Sequence, residues 1–147
     1  MDDKRATLPK SERLSSKSLV DALFANGSSF VAYPLRVIYS PVQDDNRTAT
    51  VSVLIHAPKK KLKRAVDRNF IKRRIRESYR LRKHVLIDAL ADSGGQSLLV
   101  AFLYLDSRKS AFATIGKAME KALLTLCKKV FGVQRDILDS KFNDSTI

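Results

Sequence analysis

Apolar positions along this chain recur with two periods, three to four residues in some stretches and two in others. Leu19, Val20, Leu23 and Phe24 share the helical spacing and predict a first helix over 16–26. Asn26-Gly27 then offers a residue able to take the left-handed conformation that ends a helix. From Tyr33 to Tyr39 the pattern alternates, with Leu35, Val37 and Tyr39 on one face. Thr48 to Ala57 alternates again, with Val51, Val53 and Ile55 on one side. Joined by the turn cluster Asp44-Asp45-Asn46, these two strands predict an antiparallel hairpin, with a further short strand near Ser28 to Val31.

Pro58 closes the second strand, and a long helix is predicted from Arg64 to Leu90. Asp92-Ser93-Gly94-Gly95 breaks it. The nearly unbroken apolar run Ser97 to Leu105 suits a central strand covered on both faces. Ser107 or Ser110 is placed to cap a last helix reaching about Phe131 and stopped by Gly132. The inner face of that helix is Phe112, Ile115, Met119, Leu123, Leu126 and Val130. The expected fold is α+β, an α/β sandwich in the order α-β-β-β-α-β-α, with helices packed on a small mixed four-stranded sheet. At 147 residues one domain is expected, with loose polar ends at 1–12 and 137–147.

The predicted middle helix divides into two stripes. Ile71, Ile75, Ser78, Val85 and Ala89 form the buried one. Arg82 falls on it too, and its stem could pack while the guanidinium escapes to solvent. On nearly the opposite side lie Asn69, Lys72, Arg73, Arg76, Arg80 and Lys83, with Arg64 and Arg68 at the edge.

Charge sharpens this picture. The net charge is +13 and the pI about 10.1. Between Lys59 and Lys83 there are 13 basic residues and two acids, Asp67 and Glu77. Nearly all the excess therefore sits in this one segment, which reads as a surface for a polyanion. Arginine forks grip phosphate with two hydrogen bonds, and Asn69 can donate and accept at a base edge or a 2′-hydroxyl. Lys60 and Lys61 stand just before the helix, whose first amides favour anions.

Other chemistries find little support. Cys127 is the sole cysteine, read as a buried apolar thiol, so an intramolecular disulfide and a cysteine zinc site are both excluded. His56 and His84 are not in metal-ligand spacing, and Asp44-Asp45 reads as turn chemistry. No nucleophile–base pair, metal site or Gly-rich phosphate loop is apparent, so no catalytic residue is assigned. The N-terminus leads into no apolar stretch and no apolar run is long enough to cross a bilayer, so a soluble cytoplasmic protein is expected.

The run Ala65-Val66-Asp67-Arg68-Asn69-Phe70-Ile71-Lys72-Arg73-Arg74-Ile75-Arg76-Glu77 resembles the signature helix of the bacterial ribonuclease P protein family. Arg13-Leu14 with the short first helix, the lead-in Pro58-Lys59-Lys60-Lys61, the late apolar strand and the last helix also fall in family order. The resemblance covers roughly Arg13 to Val130. Three departures stand out. Phe70 occupies the place of a usual third basic residue, Lys63-Arg64 that of a Gly-Asn pair, and Val20 that of an aromatic.

The resemblance implies a chain that binds a catalytic RNA, which cuts the 5′ leader from precursor tRNA with magnesium ions. It implies no catalytic side chain, no cofactor on the protein, and no membrane or protein partner. The RNA-contacting residues it implies, together with the rest of the stripe, are Lys60, Lys61, Arg64, Arg68, Asn69, Lys72, Arg73, Arg76, Arg80 and Lys83. A leader cleft between the first helix and the sheet would be lined by Val20, Phe24 and Tyr39. The family also implies a left-handed β-α-β crossover, against the general preference. A general RNA-binding protein, of ribosomal or chaperone type, remains the alternative. DNA binding is weaker, for want of helix-turn-helix spacing.

Overall fold

The computed structural model describes residues 17–43, 51–91 and 96–131. The expected loose ends, the turn at 44–46 and the break at 92–95 lie outside the described residues. Along the chain come α1 (Lys17–Asn26), β1 (Ser28–Ala32), β2 (Leu35–Gln43) and β3 (Val51–His56). They are followed by α2 (Ala65–Arg82), α3 (His84–Ala91), β4 (Gln96–Tyr104) and α4 (Phe112–Leu126). A π-helical turn, Cys127–Phe131, extends α4. The result is an α+β fold on a mixed four-stranded sheet, as the pattern predicts.

The sheet order is β1-β2-β4-β3. β2 therefore does not form a hairpin with β3. It pairs antiparallel with β1 on one side and with β4 on the other, while β3 runs parallel to β4. The true hairpin is β1–β2, turned through a cis Tyr33-Pro34 bond. β4 inserts between β2 and β3 because it is apolar on both faces. Leu98, Val100, Phe102 and Tyr104 bury one way, and Leu99 and Ala101 the other. Only a strand flanked on both edges and both faces hides such a run. The edge strand β3 alternates buried Val51 and Val53 with more exposed Ser52, Leu54 and His56.

Two unequal cores lie on the two sheet faces. The larger joins Val37, Val53, Val100 and Phe102 to Ile71, Ile75 and Tyr79 of α2 and to Ile115, Met119 and Leu123 of α4. Tyr79 and Phe102 meet there as a tilted pair, 5.8 Å between ring centres. The smaller core places Leu23 of α1 with Ile38, Leu99 and Ala101, flanked by Leu19, Val20, Val42, Leu54 and Leu103. Among the described residues α1 packs on this second face, whereas α2, α3 and α4 all contribute to the core on the first.

Several local expectations are corrected. The middle helix is two helices meeting at Lys83, which keeps right-handed helical dihedrals. The break lets the apolar turn of α3, with Val85, Leu86, Ala89 and Leu90, follow the end of α4. There the buried Cys127 thiol points at the Val85 carbonyl, 3.9 Å away. Neither Ser107 nor Ser110 caps α4. Its N-cap is Ala111, with no side-chain bond, because the Ser110 hydroxyl is spent on the Tyr104 hydroxyl at 2.9 Å. Phe112 is not an inner residue, being 37% exposed in the first turn. Arg82 does not send its guanidinium to open solvent but lays it against Gly116 of α4, with Nη1 donating to the Ser78 carbonyl. Gly27 ends α1 without a left-handed dihedral. It is small because a Cβ there would lie 2.5 Å from the Leu23 carbonyl oxygen and 2.9 Å from Ile38.

Candidate nucleic-acid interface

The basic stripe forms because α2 is anchored from beneath. Ile71, Ile75, Ser78 and Tyr79 face the core, so helical geometry turns the remaining two-thirds of the surface outward. Asn69 and Arg73 are exposed, and Lys72, Arg76, Arg80 and Lys83 are partly so. These residues thus share the outer side of α2, with Lys83 at the junction of α2 and α3. Lys60 and Lys61 are exposed in the turn before α2, where Lys61 N–H and Leu62 N–H both bond the Pro58 carbonyl.

Some cations are already committed. Arg68 Nη1 donates to the carbonyls of Leu62 at 2.9 Å and Lys63 at 2.8 Å, tying the lead-in turn to the helix. Arg64 Nε lies 3.8 Å from Asp67, which also meets Lys109 Nζ at 3.4 Å. Arg80 clasps Glu77 with two hydrogen bonds, one of them 3.0 Å from Nε. The bond from Arg80, aided by its charge, holds the Glu77 carboxyl below its ordinary range although burial opposes this, and it strengthens the proton hold of Arg80 in turn. The exposed Arg73, by contrast, stands on the stripe with its side chain toward solvent.

Arg74 and Phe70 are residues that helical spacing alone did not single out as a unit. The Arg74 guanidinium lies over the Phe70 ring at 4.2 Å and its Nη1 donates to the Ser110 carbonyl at 2.7 Å. Lys109 Nζ stands 5.5 Å from the same ring. Phe70, with Arg74, therefore fastens α2 to the loop before α4. The buried Tyr104 hydroxyl organises that loop, accepting from Ser110 N–H at 2.9 Å and donating to the Arg108 carbonyl. No sequence period reports such a loop anchor.

The expected leader cleft is not brought together as a set. Val20 packs in the smaller core and Phe24 on the same helix is 45% exposed. Tyr39 lies on the opposite sheet face, packed against the larger core with Phe30 at 5.9 Å. Strand parity is the reason. Tyr39 shares its face with Leu35 and Val37, whereas α1 covers Ile38. The residues of β2 on the α1 face are Arg36, Ile38, Ser40 and Val42. In register, Arg36 stands opposite Leu103, which stands opposite His56, forming one row across the face.

Three described carboxylates near the basic surface already serve cations, Asp67 with Arg64 and Lys109, Glu77 with Arg80, and Asp106 with Arg108. Among the described residues no three His, Cys, Asp or Glu side chains come together as a metal cage. Among them also, no helix is long and apolar enough to cross a membrane.

The sequence profile of the Ribonuclease P family matches residues 8–128. The Ribonuclease P protein component of Porphyromonas gingivalis is 39% identical over 123 residues, 84% of this chain and 88% of that one. That of Chlorobaculum tepidum is 42% identical over 111 residues, 71% of each chain. The Staphylococcus aureus RNase P protein structure superposes with a TM-score of 0.57 at 21% identity, covering 83% of this chain and 99% of that one. A profile match that takes in the signature helix and every described element up to the end of α4, joined to the shared fold, shows that the chain belongs to the ribonuclease P protein family.

Proposed function

We propose that this chain is the protein subunit of a ribonuclease P holoenzyme, binding its catalytic RNA through α2 and assisting removal of the 5′ leader from precursor tRNA. The outward stripe from Asn69 to Lys83, held over the larger core, carries this reading. It supplies phosphate-binding forks at one-turn spacing on a rigid support. The precursor's single-stranded leader is assigned to the α1 face of the sheet, where Phe24, Val20, Arg36 and the Leu103–His56 row offer apolar surface beside a cation. Unpaired bases stack on such surfaces while a basic groove tracks the backbone. The magnesium ions that the reaction needs are assigned to the RNA.

The test is cleavage of a 5′-extended precursor tRNA at low magnesium, by a bacterial ribonuclease P RNA with and without this protein. Accurate 5′ cleavage restored by the protein, with the protein alone inert, is the expected result. Binding to both RNAs without stimulation or preference for the precursor would move the chain to the general RNA-binding reading.

A further inference from the structure

Positive charge outside α2 has a second focus. From Arg108 to Lys129 the chain carries six basic residues and one acid, Glu120. Lys117 and Lys121 on α4, away from its buried Ile115, Met119, Ala122 and Leu126, and Lys128 and Lys129 on the π-helical turn that extends it, are all exposed. Lys117, Lys121 and Lys128 fall within a narrow arc of the helix, because steps of four and seven residues return to nearly the same side. At 1.5 Å per residue they span about 16 Å. A concavity of about 560 Å³ follows this face, lined by Lys117, Lys121, Lys128 and Lys129 with Glu120 and Leu124. Thr125 also lines the groove, its hydroxyl donating to the Lys121 carbonyl at 2.8 Å.

α4 shares its sheet face with α2, and both insert into the larger core. The α1 face, assigned to the leader, is on the other side of the sheet. We propose that the outer groove of α4 is a second phosphate-binding surface, occupied by the backbone of the same catalytic RNA that α2 grips. This rests on the function proposed above. The helical layer then presents two cationic edges to one large polyanion, and three or four phosphates fit the lysine span.

The experiment compares the full chain with the variant Lys117→Ala, Lys121→Ala, Lys128→Ala and Lys129→Ala, measuring affinity for the catalytic RNA across a salt series. Alanine preserves the helix, and circular dichroism checks that it has. The expected result is at least a tenfold loss of affinity and a salt slope shallower by about 2–3, from roughly 0.7–0.9 per phosphate contact. A second variant, Lys121→Glu with Lys128→Glu, should lose more. A chelated iron tethered at Lys121→Cys, with Cys127 buried and unlabelled, should cut the catalytic RNA near its contact. Unchanged affinity and slope in both variants overturn the proposal. So do cuts confined to the precursor leader, or loss of self-association in place of RNA affinity. If the parent protein stimulates cleavage and the variants match it throughout, the groove alone is wrong. If the parent does not stimulate cleavage at all, the underlying function is wrong.

Discussion

Single residues in this protein are set by contacts that their type alone does not announce. Gly27 is fixed by space, since any Cβ meets a backbone oxygen that cannot swing away. Gly27→Ala should cost about 1–3 kcal/mol, the usual range for overpacking, read as a lower urea midpoint at unchanged slope. Ser78 shows the reverse. Its hydroxyl is buried with no hydrogen-bond partner among the described residues. An unbonded buried hydroxyl costs about 1–3 kcal/mol and alanine favours helices. Ser78→Ala is therefore expected to raise stability, and a lower thermal midpoint would refute the assignment.

At the scale of the element, α2 is a charged surface whose members are not equivalent. Arg80 is spent partly on Glu77, whereas Arg73 faces solvent. Arg73→Ala should flatten the salt slope of RNA binding by about 0.7–0.9, and Arg80→Ala by clearly less. Glu77→Gln should release Arg80 and raise RNA affinity. The same pair has a pH signature. Because the folded Glu77 carboxyl titrates below its unfolded value, its stabilisation is fully present above the ordinary glutamate range near about 4.3 and lost as pH falls through the lowered folded value. The stability gap between parent and Glu77→Gln should thus be flat at neutral pH and close in acid. A gap that persists at the lowest pH would show that the pair does not act this way.

For the whole molecule, the surfaces proposed for the catalytic RNA and for the leader fall on different faces of the sheet. α2, α3 and α4 lie on one face and α1 on the other, so the proposal predicts different effects for substitutions on the two sides. Tyr39→Ala should cost about 2 kcal/mol, reflecting its half-buried place against Phe30 and the larger core. It should leave the preference for precursor over mature tRNA unchanged once folded. Phe24→Ala and Arg36→Ala, on the α1 face, should narrow that preference with little loss of stability. Paired binding titrations with the two RNAs decide between these outcomes.

Much of this was legible in the chain. Helical spacing from Ile71 to Ser78 defines the buried side of α2 and therefore the outward Asn69–Lys83 stripe, because 3.6 residues per turn admits no other arrangement. The apolar run of β4 likewise required a central strand, and the signature around Arg68 and Asn69 carried the family. Strand parity even placed Tyr39 beside Leu35 and Val37. What it could not say was which face α1 would cover, since both faces of β2 carry apolar residues. Tertiary structure alone decided that Leu23 meets Ile38, that β4 separates β2 from β3, and that Phe70, Arg74 and Lys109 fasten α2 to the next loop. Those outcomes depend on pairings between distant segments, where burial of both faces of one strand outweighs the short connection that would have made a hairpin.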